Sequence, residues 1–186
     1  TLATGGADAM YSGPLADAIV AKAAQSVGDD VAKTPITPSL MTVTDLKNYQ
    51  AKKREPVCTT YRSSYYICTM SPPSSGGIAI AQSLGILENF DLSQYGPTNP
   101  SNEGGVPSVM GVHLVSEAQR LAYADRDKYV ADTDFIPLPG NGVSSMIDKA
   151  YLKQRASLIN ANGNSMGTAT AGNLGNVPLG VDKTVE

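Results

Sequence analysis

The sequence has no tryptophan, two phenylalanines, one histidine and two cysteines in its 186 residues. Each scarcity closes a route. With one histidine and two cysteines, a zinc centre would need several carboxylates to complete it, so no metal is expected. His113 stands between Val112 and Leu114 in a stretch of helical period. It is expected to be a satisfied or surface histidine, because a Ser-His-Asp relay needs a cleft with a serine and a carboxylate beside the imidazole. Charge is sparse too: Asp, Glu, Lys and Arg make up 17% of the chain, and the net charge is −3. Nucleic-acid binding rests on a clustered basic surface. The densest basic run, Lys52-Lys53-Arg54, is followed at once by Glu55, so it reads as a solvated helix end and no nucleic acid is expected as a partner. No run approaches the roughly 18 apolar residues of a membrane span. The first residues, Thr1-Leu2-Ala3-Thr4, show none of the regions of a signal peptide, which a mature secreted chain would lack as well.

What is present is enough apolar sequence, 41% of the chain, for a real core. Ser12-Gly13-Pro14 opens a helix, with Pro at the first helical position, and Leu15, Ile19, Val20 and Ala23 follow at helical spacing until Gly28 can end the run. Residues 33–40 read as a loop. Thr42-Val43-Thr44-Asp45 fits a capping box: the Thr42 oxygen takes a free amide at the helix start and the Asp45 carboxylate reaches back. Residues 57–61 and 65–70 are rich in β-branched and aromatic residues around a short polar Arg62-Ser63-Ser64, the signature of a hairpin. After Ser71-Pro72-Pro73-Ser74-Ser75-Gly76-Gly77 an apolar helix is expected from Ile78 to about Asn89, burying Ile80, Leu84 and Leu87. A polar loop over 91–107 precedes a long amphipathic helix over about 109–130, and a last helix starts at Ser145 and ends near Asn160. Beyond it the periodicity collapses: ten of the residues from Asn160 to Glu186 are Gly or Asn. Such a segment buries too little apolar surface to offset its ordering entropy, and it is read as a flexible tail.

Four features could carry chemistry. Thr1, at a free amino terminus, has the form of a self-activating nucleophile, but it runs into Ala- and Gly-rich helical sequence, so it is read as the start of a fragment. Glu117 and Arg120 can pair across one helical turn, and Asp125-Arg126-Asp127 form a charge cluster. These read as a structural ion-pair network near a subunit contact, with Arg126 facing a partner chain; a paired-carboxylate acid/base site is the alternative. The Ser74-Ser75-Gly76-Gly77 run either lines a substrate cavity, with small residues and helix-start amides that favour anions, or makes a tight strand-to-helix turn. It is no phosphate loop, because no lysine follows the glycines. Cys58 and Cys68 lie on the two arms of the hairpin, opposite or offset by one residue according to the turn. A disulfide is expected, with two buried thiols as the alternative; a bridge implies an oxidising compartment.

Several motifs in order resemble the γ-glutamyltransferase (γ-glutamyltranspeptidase) family: Tyr61-Arg62, Met70, the Pro72-Pro73-Ser74-Ser75-Gly76-Gly77-Ile78 run, Ile86-Leu87-Glu88-Asn89-Phe90-Asp91, Glu117-Ala118, Tyr123-Ala124-Asp125-Arg126 and Asp134-Phe135. The resemblance covers about four-fifths of the chain. It implies an N-terminal nucleophile hydrolase with a four-layer α/β/β/α sandwich, an α/β (α+β) fold of which this chain supplies only part. It further implies a precursor that cuts itself into two subunits and transfers a γ-glutamyl group from glutathione or a similar donor to water, an amino acid or a peptide, without a cofactor. In these terms residues 1–160 are the C-terminal part of the large subunit and 161–186 lead to the processing site. The nucleophilic Thr is expected just after Glu186, on the partner small subunit. No catalytic residue is then expected in this chain, which alone would be inactive. Ser74, Ser75, Gly76 and Gly77 would form the cavity wall, and the partners would be the small subunit and the N-terminal part of the large one. A periplasmic or secreted location fits. A cephalosporin-acylase-type amidase of the same family and a non-catalytic scaffold homologue are the other readings.

Overall fold

A computed structural model describes residues 2–102 and 104–175. The chain divides into two units at 53/54. Among its described residues the first unit holds four helices, α1 (Leu2–Gly5), α2 (Asp8–Tyr11), α3 (Pro14–Ala23) and α4 (Val43–Asn48). Pro14 opens α3 as expected, but the helix stops at Ala23, short of Gly28. Thr42 caps α4 with the full reciprocal box: Asp45 N–H donates to Thr42 Oγ1 over 3.3 Å, and Thr42 N–H to Asp45 Oδ2 over 2.7 Å. Tyr49 follows α4 and stacks on Tyr11, with ring centroids 5.5 Å apart. Thr1 lies outside the described residues, and so do 176–186 at the other end.

The second unit begins with the hairpin of β1 (Val57–Tyr61) and β2 (Tyr65–Thr69). Arg62 and Ser63 take positive φ angles of 50° and 55° in its turn. The register pairs Val57 with Thr69, Cys58 with Cys68 and Tyr61 with Tyr65. The two cysteines are therefore directly opposite, their Cα atoms 4.1 Å apart, and they are joined as a disulfide. The hairpin tip is fastened to the next helix, α5 (Gly76–Leu87). The Arg62 guanidinium donates to the carbonyls of Phe90 at 2.9 Å and Leu87 at 3.3 Å, and the Glu88 carboxylate accepts from Arg62 N–H and from Lys149. A cation over the free carbonyls of a helix end is favoured by the helix dipole.

α5 packs against α6 (Val109–Tyr129) and α8 (Lys149–Ala156). Ile86, Leu114, Leu121 and Leu152 form the centre of one core; Val57, Ile78, Ala81, Tyr129 and Met146 form a second where the hairpin meets α5 and α6. Burying each large aliphatic here stabilises the fold by about 1.5–3 kcal/mol. The inward face of α5 is thus Ile78, Ala81, Gln82, Gly85 and Ile86, not the expected stripe. Leu87 is buried, but Leu84 is half-buried and Ile80 is 49% exposed. α5 is apolar nearly all round, and such a helix offers no polar face by which to orient it. The expected last helix is two: α7 (Val143–Met146) and α8, divided where Asp148 caps α8 by accepting from Tyr151 N–H over 2.9 Å. The loop before α6 contains one 3-10 turn, Leu92–Tyr95, and a bridge between Thr98 and Val106.

Residues 161–175 form neither helix nor strand, as their composition suggests, yet they are not a free tail. Met166, Ala169, Ala171 and Leu174 pack on the two cores, and side chains of α6 and α8 bond to their backbone.

Candidate functional site

The 74–77 loop joins β2 to α5. The Pro72–Pro73 bond is cis. Gly77 is buried where the helix start crosses the end of β2, and a Cβ added there would lie 1.8 Å from the Met70 carbonyl oxygen. Only glycine fits, which is the tight-turn reading of this position. Ser75 Oγ accepts from Arg126 Nε over 3.1 Å, fixing the loop to α6. Ser74 is exposed, and Gly76 lines an open groove of about 370 Å³ between α5 and α6, together with Ile80, Leu84, Val115 and Tyr123. A second cavity, of about 440 Å³, lies at the start of α6 between Leu92, Tyr95, Pro107 and Val112, and Val115 borders both. Among the described residues no charged side chain lines either one. Surfaces of this kind suit contact with other apolar protein surface.

The charged residues sort differently from the expectation. Asp125, Arg126 and Asp127 do not act as one cluster. Arg126 and Asp127 pair at the surface over 2.7 Å, whereas Asp125 points inward and is 1% exposed. Its Oδ2 accepts from Tyr151 Oη at 2.6 Å and Gln82 Nε2 at 3.1 Å; its Oδ1 accepts from Gly172 N–H at 2.8 Å and faces Arg155 Nη2 at 3.1 Å. Burial, reinforced by the Asp125 carboxylate, raises the Tyr151 hydroxyl above its ordinary value of 10.0, so it stays a donor. Glu117 pairs with Arg120 at 2.7 Å as the spacing predicts, and it also accepts from Ser165 Oγ at 3.0 Å and Met166 N–H at 2.9 Å. Burial by itself would raise the Glu117 carboxyl; the bonds from Met166, Arg120 and Ser165 outweigh it and hold the carboxyl below 4.5. Both carboxylates are occupied by fixed donors, so the structural network wins over acid/base chemistry. Sequence reasoning missed Gln82, Tyr151 and Arg155. The signal was there in a lone amide among the apolar residues of α5, and in a Tyr and an Arg four apart on α8.

His113 is held at Nε2, 2.8 Å from the Asn160 carbonyl oxygen, and lines neither of the two cavities. Among the described residues no group of three or more His, Cys, Asp or Glu could hold a metal ion, and no helix is long and apolar enough to cross a membrane.

A helical layer, a short hairpin and apolar helix faces left open make a mixed helix-and-sheet body, and its likeness to a solved gamma-glutamyltranspeptidase gives it the N-terminal nucleophile hydrolase fold. The chain belongs to the gamma-glutamyltranspeptidase family, whose model matches residues 1–176. It is 36% identical over 161 residues to the glutathione hydrolase proenzyme of Escherichia coli (strain K12), covering 87% of this chain and 24% of the relative. It is 37% identical over 158 residues to the acylase ACY 1 proenzyme of Pseudomonas sp. (strain SE83), covering 85% of this chain and 24% of that one. The solved gamma-glutamyltranspeptidase of Helicobacter pylori superposes with a TM-score of 0.60 at 36% identity, over 86% of this chain and 39% of that chain. The chain thus spans about a quarter of the length of the curated relatives it matches.

Proposed function

We propose that this chain is the large-subunit portion of a γ-glutamyltransferase or glutathione hydrolase, built around a nucleophilic Thr that lies on the small subunit just beyond Glu186. The observation that carries this is a family match along nearly the whole chain that nonetheless covers only a quarter of each curated relative. In the precursor the Thr hydroxyl attacks the carbonyl before it. The C–N bond breaks and the amide nitrogen takes the proton, freeing the α-amine; water then hydrolyses the resulting ester to a carboxylate and the free hydroxyl. In the mature enzyme that amine acts as base while the hydroxyl attacks the γ-amide of the donor. The amine of the leaving peptide takes the proton, and water or an acceptor amine then resolves the γ-glutamyl ester.

This chain contributes shell rather than reacting groups. The exposed faces of α5 and α6 support docking of the small subunit and the N-terminal part of the large one. Ser74, Ser75 and Gly76 form wall that Gly77 and Arg126 hold in place. The Cys58–Cys68 bridge supports a periplasmic or secreted location. The whole protein should hydrolyse γ-glutamyl-p-nitroanilide, and the 186-residue chain alone should not; turnover by the lone chain would sink this reading. The acylase proenzymes among the relatives favour a second reading, an amidase with another acyl pocket. A glutaryl amide cleaved faster than the γ-glutamyl substrate by the whole protein decides for it.

A further inference from the structure

Residues 165–174 run beside α6 in its own direction and are bonded to the body through side chains. Two units of the same design do this. In the first, Glu117 accepts from Met166 N–H at 2.9 Å while its ion-pair partner Arg120 donates to the carbonyls of Met166 at 2.8 Å and Gly167 at 2.6 Å. In the second, Asp125 accepts from Gly172 N–H at 2.8 Å while its partner Arg155 donates to the Thr170 carbonyl at 2.6 Å. Each unit is a carboxylate that reads a backbone N–H, paired to a guanidinium that reads a neighbouring carbonyl. Together they bond backbone donors and acceptors near both ends of the segment, with charge-assisted hydrogen bonds. Glu117, Leu121 and Asp125 recur at i, i+4 and i+8 on one side of α6, and both carboxylates are at most 2% exposed. A Cβ at Gly172 would lie 2.2 Å from the Tyr151 hydroxyl, so a side chain there would have to displace that tyrosine.

We propose that Glu117–Arg120 and Asp125–Arg155 form a two-point clasp that fixes the course of residues 165–174 and so positions the chain that follows for self-cleavage. These are positioning residues: they touch the strap, not the reacting atoms. The proposal rests on the precursor reading above. An ion pair serving only stability could face any partner. This one is spent on backbone atoms of a segment that holds no helix or strand, and it sets where that segment leads. Attack on a peptide carbonyl tolerates little misplacement, so loosening either point slows cleavage by about tenfold or more.

The test uses the full-length precursor purified uncut, with conversion to two bands followed over time and the melting temperature of each variant measured in parallel. E117Q and D125N loosen the two points. L121A, between them on α6 and buried in the core, is the control for lost stability without lost clasp. Slow cleavage in E117Q and D125N, with L121A cleaving within about threefold of the parent at an equal or lower melting temperature, supports the clasp. Cleavage of E117Q and D125N at the parent rate overturns it, as does L121A slowing as much as they do. Should D125N fail to fold, E117Q against L121A decides. A parent precursor that stays uncut overturns the processing reading and the clasp with it, an outcome distinct from variants that match a cleaving parent.

Discussion

At Gly77 the backbone of α5 comes so close to the Met70 carbonyl that a single methyl has nowhere to go. The atom opposite is main chain, which cannot swing aside as a side chain can. G77A should therefore destabilise by about 1–3 kcal/mol or more, by forced displacement of the helix start. Gly85 gives the contrast. A Cβ there meets the Leu152 Cδ1 methyl at 2.3 Å, the far end of a flexible side chain, so G85A should cost less than G77A when both are compared by denaturant unfolding. Glu117 makes a further residue-scale prediction. Its folded carboxyl lies below 4.5 with Arg120, Ser165 and the Met166 amide as its partners. A depressed acid contributes stability that is present above its unfolded value and is lost as pH falls through the folded one. Hydrogen exchange at the Met166 amide should accelerate as pH falls below about 4.5, beyond its intrinsic rate, and E117Q should remove that pH dependence. An acid-insensitive Met166 amide in the parent protein speaks against this account.

At the scale of elements, the hairpin is the piece most completely legible from sequence. Its residue types, its short polar turn and its cysteines gave strands within one residue of those observed. Only the turn geometry, with Arg62 and Ser63 at positive φ, was needed to put Cys58 opposite Cys68. Cross-linking a loop this short stabilises by about 2–3 kcal/mol in the chain-entropy account. C58A/C68A should lower the unfolding free energy by about that much while leaving the strand pairing intact by NMR. α5 was legible as a helix but not in its orientation. Ile80 and Leu84 look like core in the sequence because the residues facing inward, Ile78, Ala81 and Ile86, are no more apolar than they are. The contacts of residues 161–175 were not legible for a different reason. Composition registers how much apolar surface a segment can bury, and this one is held mainly by polar bonds from Glu117, Arg120, Asp125, Tyr129 and Arg155, which lie far from it in sequence. No local pattern encodes that pairing.

For the whole molecule, what distinguishes this chain is apolar surface without a cover. Ile80, Val115 and Tyr123 are 49%, 40% and 55% exposed and meet in one groove, and a second apolar cavity adjoins it through Val115. Contiguous patches of this kind on a monomer invite association. If the partner segments of the proposed whole enzyme cover them, polar substitution must have opposite effects in the two contexts. In the 186-residue chain, I80K together with V115K should raise solubility and reduce binding of a hydrophobic dye, with little change in the unfolding midpoint, because neither side chain is in the core. In the whole protein the same pair should lower the yield of assembled enzyme, since each buried ammonium without a partner is strongly unfavourable. The sign reversal is the informative quantity. If the pair were harmless in both contexts, the groove would face solvent in the assembled protein, and the docking role given to α5 and α6 would have to move to another surface.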